Sequence, residues 1–157
     1  MGYSWAGDPR EDPAARRPCG ILVRMGIVER DYILRVIEQL AQAVAKVMGL
    51  VAAGKLEEAL AQIDQSEQEL LGSELRGLRH VDGAIVAVVL HSPDRVRGWA
   101  LLTAKRAHVL ELMARHGEAR IAASRAMDLY AVAQRRGAAF SELDHTAREQ
   151  ISALLAQ

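Results

Sequence analysis

The spacing of apolar residues between Glu29 and Val51 constrains the fold more than any other feature of the chain. Apolar side chains recur there at steps of four, three, four, three and four residues, at Ile33, Ile37, Leu40, Val44, Val47 and Val51. This spacing aligns apolar side chains along one side of an α-helix. We therefore predict an amphipathic helix over residues 29–51. Its apolar stripe has two candidate partners, the core of the same chain or the same helix of a second copy.

Glycines and capping residues predict where further helices begin and end. Gly54 and Gly117 are expected to end helices, because glycine readily adopts the left-handed backbone found there. Ser92 followed by Pro93 is typical of a helix start. These features predict helices over residues 55–71, 92–116 and 118–136.

The last helix is predicted from a capping pattern. Ser141 and Asp144 stand three residues apart and resemble a capping box, in which each side chain bonds the backbone of the other residue. The apolar residues that follow this pattern are expected to be buried, and they are Leu143, Ala147, Ile151, Leu154 and Leu155.

Residues 72–91 fit more than one interpretation. Residues 73–80 are compatible with a short helical turn, whereas the stretch GAIVAVVL is rich in the β-branched residues that favour strands. An isolated strand would have no pairing partner in this chain. We therefore favour a short, fully buried helix over residues 83–91, capped by Asp82, with a strand as the alternative.

Together these segments predict an all-α fold of five or six antiparallel helices arranged in hairpins. The chain has 157 residues, of which 50% are hydrophobic, so it can bury the core of one domain. Aromatic residues make up only 4%, and the abundant alanines allow helices to approach closely.

The N-terminal residues differ from the rest of the chain. Residues 1–24 contain three of the four prolines and lack a helical period. We interpret them as a flexible arm ahead of a single helical domain over residues 25–157. A second interpretation is that translation begins at Met25, which is followed directly by the well-patterned helix.

Two glycines are followed by small residues at matching distances. Ala59 lies five residues after Gly54, and Ala122 lies five residues after Gly117. This pattern resembles the tetratricopeptide repeat, which implies stacked hairpins and a concave surface that binds peptides or other proteins. The two glycines are 63 residues apart, which is not a multiple of that repeat's period of about 34 residues. An irregular helical bundle is therefore the alternative architecture.

The first predicted helix carries a second resemblance. Its sequence ERDYILRVIEQL is similar to the start of a family of small uncharacterised bacterial helical proteins, and the similarity rests on Asp31, Tyr32, Ile33, Arg35, Ile37, Glu38 and Leu40. The resemblance implies a helical fold and a bacterial source, and it implies no activity.

The chain lacks the common catalytic and cofactor motifs. It has no glycine-rich phosphate loop, no Gly-x-Ser-x-Gly elbow and no paired zinc-type cysteines. His108 and Glu111 are three residues apart on one helix, but their order is the reverse of the Glu-x-x-His motif of helical metal proteins. We predict no metal, no cofactor and no enzymatic activity, and we keep a helical enzyme or metal protein as a third-ranked alternative.

Charge is distributed unevenly, although the total is zero. Residues 54–72 carry five acidic residues and one lysine, whereas residues 92–136 carry nine basic and four acidic residues. In one interpretation the acidic and basic hairpins lie against each other inside the fold. In the other, the basic helices bind an acidic protein segment, through the candidate residues Trp99, Arg106, Arg120, Arg125 and Tyr130. Reversal of Arg106 and Arg125 to glutamate is then expected to abolish binding without changing stability.

The preferred function is that of a protein–protein interaction or adaptor module. The alternative is a structural homo-oligomer that assembles through the helix over residues 29–51. The zero net charge and the scarcity of aromatics give no reason to expect nucleic acid as a partner, and no apolar run is long enough to span a membrane. The single cysteine, Cys19, cannot form an internal disulfide, so we expect a cytoplasmic protein.

Overall fold

A computed structural model describes residues 17–157 of the chain, with side chains from residue 26 onward. No residue in this range belongs to a strand, which confirms the predicted all-α class. A 3-10 turn over Gly72–Glu74 precedes the shortest helix. The helices are α1 (Arg17–Ala52), α2 (Leu56–Leu71), α3 (Leu75–Leu78), α4 (Gly83–Leu90), α5 (Pro93–Leu112), α6 (His116–Arg135) and α7 (Glu142–Leu155).

The chain divides into two compact units, Met1–Arg35 and Val36–Gln157. In the first unit the structure describes residues 17–35, and all of them belong to α1. The helix therefore begins well before Glu29, in a region predicted as flexible arm. Pro18 favoured the arm interpretation, but proline is tolerated in the first turn of a helix. The earlier part of the predicted arm, residues 1–16, lies outside the described residues.

Helix α5 forms the centre of the second unit and packs against α2, α4, α6 and α7. Nearly all of its residues from Val96 to Leu110 are buried. A side chain at Gly98 would come within 3.4 Å of Leu70 in α2 and of Leu40 in α1. The glycine therefore allows a close approach where three helices meet, since an added Cβ would require these leucine side chains to shift slightly.

The apolar stripe of α1 contributes to this core. Leu40, Val44 and Val47 are buried in the main hydrophobic cluster, so the core interpretation holds for this part of the helix. Ile37 was predicted to face inward but is 39% exposed, because the neighbouring Val36 takes the inward position. The buried residues of this part of α1 are not available as a dimer seam.

The turn between α1 and α2 is formed by the predicted glycine. Gly54 has a φ of 73°, and the N–H of the next residue, Lys55, donates to the carbonyl of Leu50 at 2.9 Å. These features define a helix end of the Schellman type, for which glycine is the favoured residue. The predicted break at Gly54 is therefore confirmed.

The turn between α5 and α6 has the same hydrogen bonds but lacks the glycine. Ala114 has a φ of 59°, and the N–H of Arg115 donates to the carbonyl of Leu110 at 2.9 Å. The predicted break at Gly117 is wrong, since Gly117 lies in the first turn of α6. Helix α5 consequently ends at Leu112 and not near His116.

The segment with two interpretations is helical from Gly83 to Leu90, as the favoured interpretation predicted, and His91 follows the end of the helix. The side chain of Asp82 accepts a hydrogen bond from the N–H of Ala84 at 3.0 Å and caps α4. The prediction of full burial is wrong, because Ile85 and Val88 are 51% and 65% exposed. A helix covered by neighbours on one side leaves half of an all-apolar sequence exposed.

The predicted capping box at the start of α7 is present. Asp144 accepts a hydrogen bond from the N–H of Ser141 at 2.8 Å. Three of the residues that were expected to be buried are buried, namely Ala147, Ile151 and Leu154. Leu143, which was also expected to be buried, is 41% exposed.

Candidate functional site

An open groove of about 370 Å³ lies between the end of α2, the segment after α3, and the helices α5 and α6. All of its residues belong to the second unit. The apolar floor and the charged rim come from four separate segments of the chain. The lining residues are Glu67, Arg79, His80, Trp99, Thr103, Arg106, Leu110, Glu118, Ile121, Ala122 and Arg125.

The floor of the groove is apolar and firmly packed. Trp99 and Leu110 of α5 are 3% and 5% exposed, and Ala122 of α6 is 8% exposed. Thr103 donates its hydroxyl hydrogen to the carbonyl of Trp99 at 2.8 Å, so its only donor is used within α5. Ile121 is different, since it lines the groove with 72% of its surface exposed.

Arg106 joins the acidic helix α2 to α5 at the rim. One of its nitrogens, Nη2, donates to Asp64 at 2.6 Å and to Glu67 at 3.0 Å. The acidic and basic hairpins therefore lie against each other inside the fold, which was the first of the two interpretations of the charge pattern. Glu67 is buried, and its burial raises the pKa of its carboxyl above the usual value despite the nearby arginine.

Arg125 is held by backbone carbonyls. Its guanidinium donates to the carbonyl of Val81 at 2.6 Å and to that of Leu78 at 2.9 Å, and it lies 5.3 Å from the centre of the Trp99 ring. The arrangement ties α6 to the segment after α3 and places a cation over the aromatic floor. Burial lowers the pKa of Arg125 below its usual value.

The remaining charges at the rim are more exposed. Arg79 has 49% of its side chain exposed and lies 3.9 Å from Glu67, at the limit of an ion pair. Glu118 accepts two hydrogen bonds from Arg115, at 2.6 and 2.9 Å, and its charge is thereby paired at the surface.

Three of the five candidate partner-binding residues meet in this groove, namely Trp99, Arg106 and Arg125. Arg120 is exposed on α6 beside the groove but does not line it. Tyr130 is 1% exposed, so its side chain lies inside the protein and is not accessible as a surface anchor.

Arg79 and Ile121 are among the groove residues that sequence reasoning missed. A usable indication existed for Ile121: it is a large apolar residue out of phase with the buried alanines of α6, among them Ala119, Ala122 and Ala126. No comparable indication existed for Arg79, which reaches the groove because of the path of the chain after α3.

Tyr130 belongs instead to a buried polar cluster. Asp144 of α7 accepts hydrogen bonds from Arg97 of α5 at 2.8 Å and from the Tyr130 hydroxyl at 3.2 Å. Asp144 is completely buried. Burial, followed by the charge of Asp144, raises the pKa of the Tyr130 hydroxyl. The cluster joins α5, α6 and α7 through side-chain hydrogen bonds.

The suggested metal pair does not form a site. Glu111 lies 2.9 Å from the Nδ1 atom of His116, and no bond to His108 accompanies it. Among the side chains that the structure describes, those of residues 26–157, no three histidine, cysteine or carboxylate groups lie together so that they can hold an ion. None of the helices described combines the length and the apolar character that crossing a membrane requires.

Comparison of the chain with protein-family models, with curated proteins and with solved structures gave no match in any of the three.

Proposed function

We propose that this protein is an interaction module that binds a segment of another protein in the groove between α2, α5 and α6. The observation that carries the proposal is the exposed Ile121 beside a packed floor of Trp99 and Leu110, within a rim of guanidinium groups. Grooves that combine apolar anchoring positions with a few fixed polar groups are typical binding sites.

The energetics favour an apolar side chain of the partner as the anchor. Covering a large aliphatic side chain such as Ile121 removes apolar surface from water and stabilises a complex by about 1.5–3 kcal/mol. The arginines at the rim add orientation and partner choice more than affinity. Ile121 is therefore the residue whose substitution tests the groove most directly.

The charge reversal suggested by the sequence is a poor test. Arg106 neutralises the buried Glu67, and Arg125 bonds two carbonyls. A glutamate at either position would disturb the fold as well as the groove, because it would leave buried polar groups without partners. Both changes are therefore expected to lower stability as well as binding.

A better test compares Ile121→Asp with Leu112→Asp. Both wild-type residues are large, aliphatic and exposed on helices, at 72% and 50%, but Leu112 does not line the groove. Each variant is used as bait for affinity capture from a lysate of the source organism, and the captured proteins are identified by mass spectrometry. We expect a specific protein to bind the wild type and Leu112→Asp and to be lost with Ile121→Asp. Capture that is unaffected by Ile121→Asp would exclude the groove.

Self-association is the second candidate function, and a separate observation favours it. In the N-terminal unit four large apolar side chains are about half exposed or more, and they are Ile27, Val28, Tyr32 and Leu34. A helix with so much exposed apolar surface is typical of one that pairs with another chain. Light scattering over a range of concentrations tests this candidate. Self-association is eliminated if the protein remains monomeric at every concentration and if Leu34→Glu leaves its molecular mass unchanged.

A further inference from the structure

We propose that the bound segment is acidic, with a carboxylate that lies between Arg79 and Arg125 and an apolar side chain that packs against Ile121. This inference rests on the proposed function and names the chemistry of the partner. It is carried by the balance of charges at the rim, by the partners of Arg125, and by the position of two aspartates outside the groove.

The rim contains more positive charge than its own carboxylates neutralise. The guanidiniums of Arg79, Arg106 and Arg125 line the groove, and within residues 26–157 the only carboxylates closer than 4.0 Å to them are those of Asp64 and Glu67. The third carboxylate at the rim, Glu118, is paired with Arg115. An incoming segment therefore meets a surplus of positive charge.

The surplus is located at Arg125. Both of its described hydrogen bonds go to neutral carbonyls, those of Leu78 and Val81, and within the described residues no carboxylate lies within 4.0 Å of it. The carboxylates that act on Arg125, those of Asp128 and Asp82, lie beyond 4.0 Å and line the neighbouring groove. A partly buried cation with no close ion pair is an attractive site for an external carboxylate, since charge pairs gain strength where water is partly excluded.

Arg79 lines the same groove as Arg125. It lies in the chain segment between Leu78 and Val81, the two residues whose carbonyls Arg125 bonds. About half of its side chain is exposed, and its distance of 3.9 Å to Glu67 leaves its donors available. Two guanidiniums on neighbouring segments form a receptor for one carboxylate, because each presents fixed donors that match carboxylate oxygens.

Acidic residues on the far side of Arg125 restrict where the carboxylate binds. Asp82 and Asp128 line a neighbouring groove that Arg125 separates from the first one. A carboxylate on that side would meet like charge, which costs affinity. The anion is therefore confined to the side of Arg79 and Ile121.

The experiment is a selection of short random peptides displayed on phage against the full chain. Parallel selections on Ile121→Asp identify the groove-dependent peptides, which bind the wild type but not this variant. We expect the groove-dependent peptides to be enriched in Asp or Glu next to a large apolar residue. Groove-dependent peptides that are basic or uncharged would overturn this inference and leave the proposed function standing. A selection without groove-dependent peptides would overturn both.

A matched pair of arginine variants then tests the anion site with the strongest acidic peptide. Arg79→Gln is compared with Arg76→Gln, because Arg76 is an exposed residue of α3 that does not line the groove. We expect Arg79→Gln to weaken binding about fivefold, as for loss of a partly exposed ion pair. Equal affinities of the two variants would overturn the assignment of the carboxylate to Arg79.

Discussion

Helix α5 contributes one arginine to each of two polar clusters, and the clusters differ in their access to water. The buried cluster joins Arg97, Asp144 and Tyr130, with Asp144 0% and the Arg97 side chain 7% exposed. The groove cluster joins Arg106 to Asp64 and Glu67, and 55% of the Asp64 side chain is exposed. The two clusters have the same chemistry of arginine and carboxylate in different environments.

The difference shows how burial decides what an ion pair does. Asp144 has no water to replace a lost partner, so each group in its cluster depends on the others and the cluster fixes the arrangement of α5, α6 and α7. Asp64 can exchange its partner for water at little cost. The groove cluster can therefore change its partners when a ligand binds, whereas the buried cluster cannot.

The largest expected effect is that of Asp144→Ala. The carboxylate accepts hydrogen bonds from Arg97, Tyr130 and Ser141, and its loss leaves a buried cation unpaired. We expect the free energy of unfolding to fall by about 3–5 kcal/mol, measured by urea denaturation. Glu142→Ala is the control, since Glu142 is an exposed acidic residue of the same helix turn. Equal losses for the two variants would contradict the distinction between buried and exposed clusters.

Arg106→Met is expected to rank second. It removes the closest partner of the buried Glu67 and leaves Arg79, at 3.9 Å, as its one ion-pair partner in the described part of the chain. We expect a loss of about 2–3 kcal/mol in the free energy of unfolding, because a buried carboxylate is left nearly unpaired. Arg120→Met provides the comparison, since Arg120 is exposed and has no ion pair in the described part of the chain. Restoration of stability by adding Glu67→Gln to Arg106→Met would identify Glu67 as the cause.

Tyr130→Phe tests the longer of the two hydrogen bonds that Asp144 accepts from Arg97 and Tyr130. It removes one hydrogen bond of 3.2 Å to Asp144 and keeps the packing of the ring. The expected loss is about 1 kcal/mol, since Asp144 retains its other donors. Tyr32→Phe, at a tyrosine that is 49% exposed, is expected to be neutral in the same assay. A neutral Tyr130→Phe would mean that the hydroxyl contributes nothing to the cluster.

Asp64→Asn is expected to have the smallest effect. The exposed carboxylate of Asp64 shares Arg106 with Glu67, and water can replace it. We expect a loss below about 1 kcal/mol that diminishes further as salt is added. A loss as large as that of Asp144→Ala would show that the groove cluster is as dependent on its partners as the buried one.

Much of the fold follows from local patterns. The apolar period predicted the helix over residues 29–51, Ser92 and Asp82 predicted helix starts, and Ser141 with Asp144 predicted the start of α7. Each of these features acts within a few residues of the chain. These helices and helix starts could therefore be predicted without knowledge of the packing.

The errors lie where packing outweighs local preference. Alanine ordinarily avoids the left-handed backbone, at a cost of about 1–2 kcal/mol, yet Ala114 adopts it and Gly117 does not. The position of the turn is set by the extensive packing of α5 against α6. Ile85 and Leu143 were likewise misassigned, because an apolar residue is buried only where a neighbouring element covers it.

The sequence by itself determined the helices and the balance of acidic and basic segments, because helix formation depends on residues three and four positions apart. Only the tertiary structure decided which arginine is buried against Asp144, which one neutralises Glu67 and which one is left with neutral partners at the groove. The three arginines are chemically identical in the sequence. Their roles differ because burial and the nearest carboxylate depend on segments about 40 or more residues away in the chain.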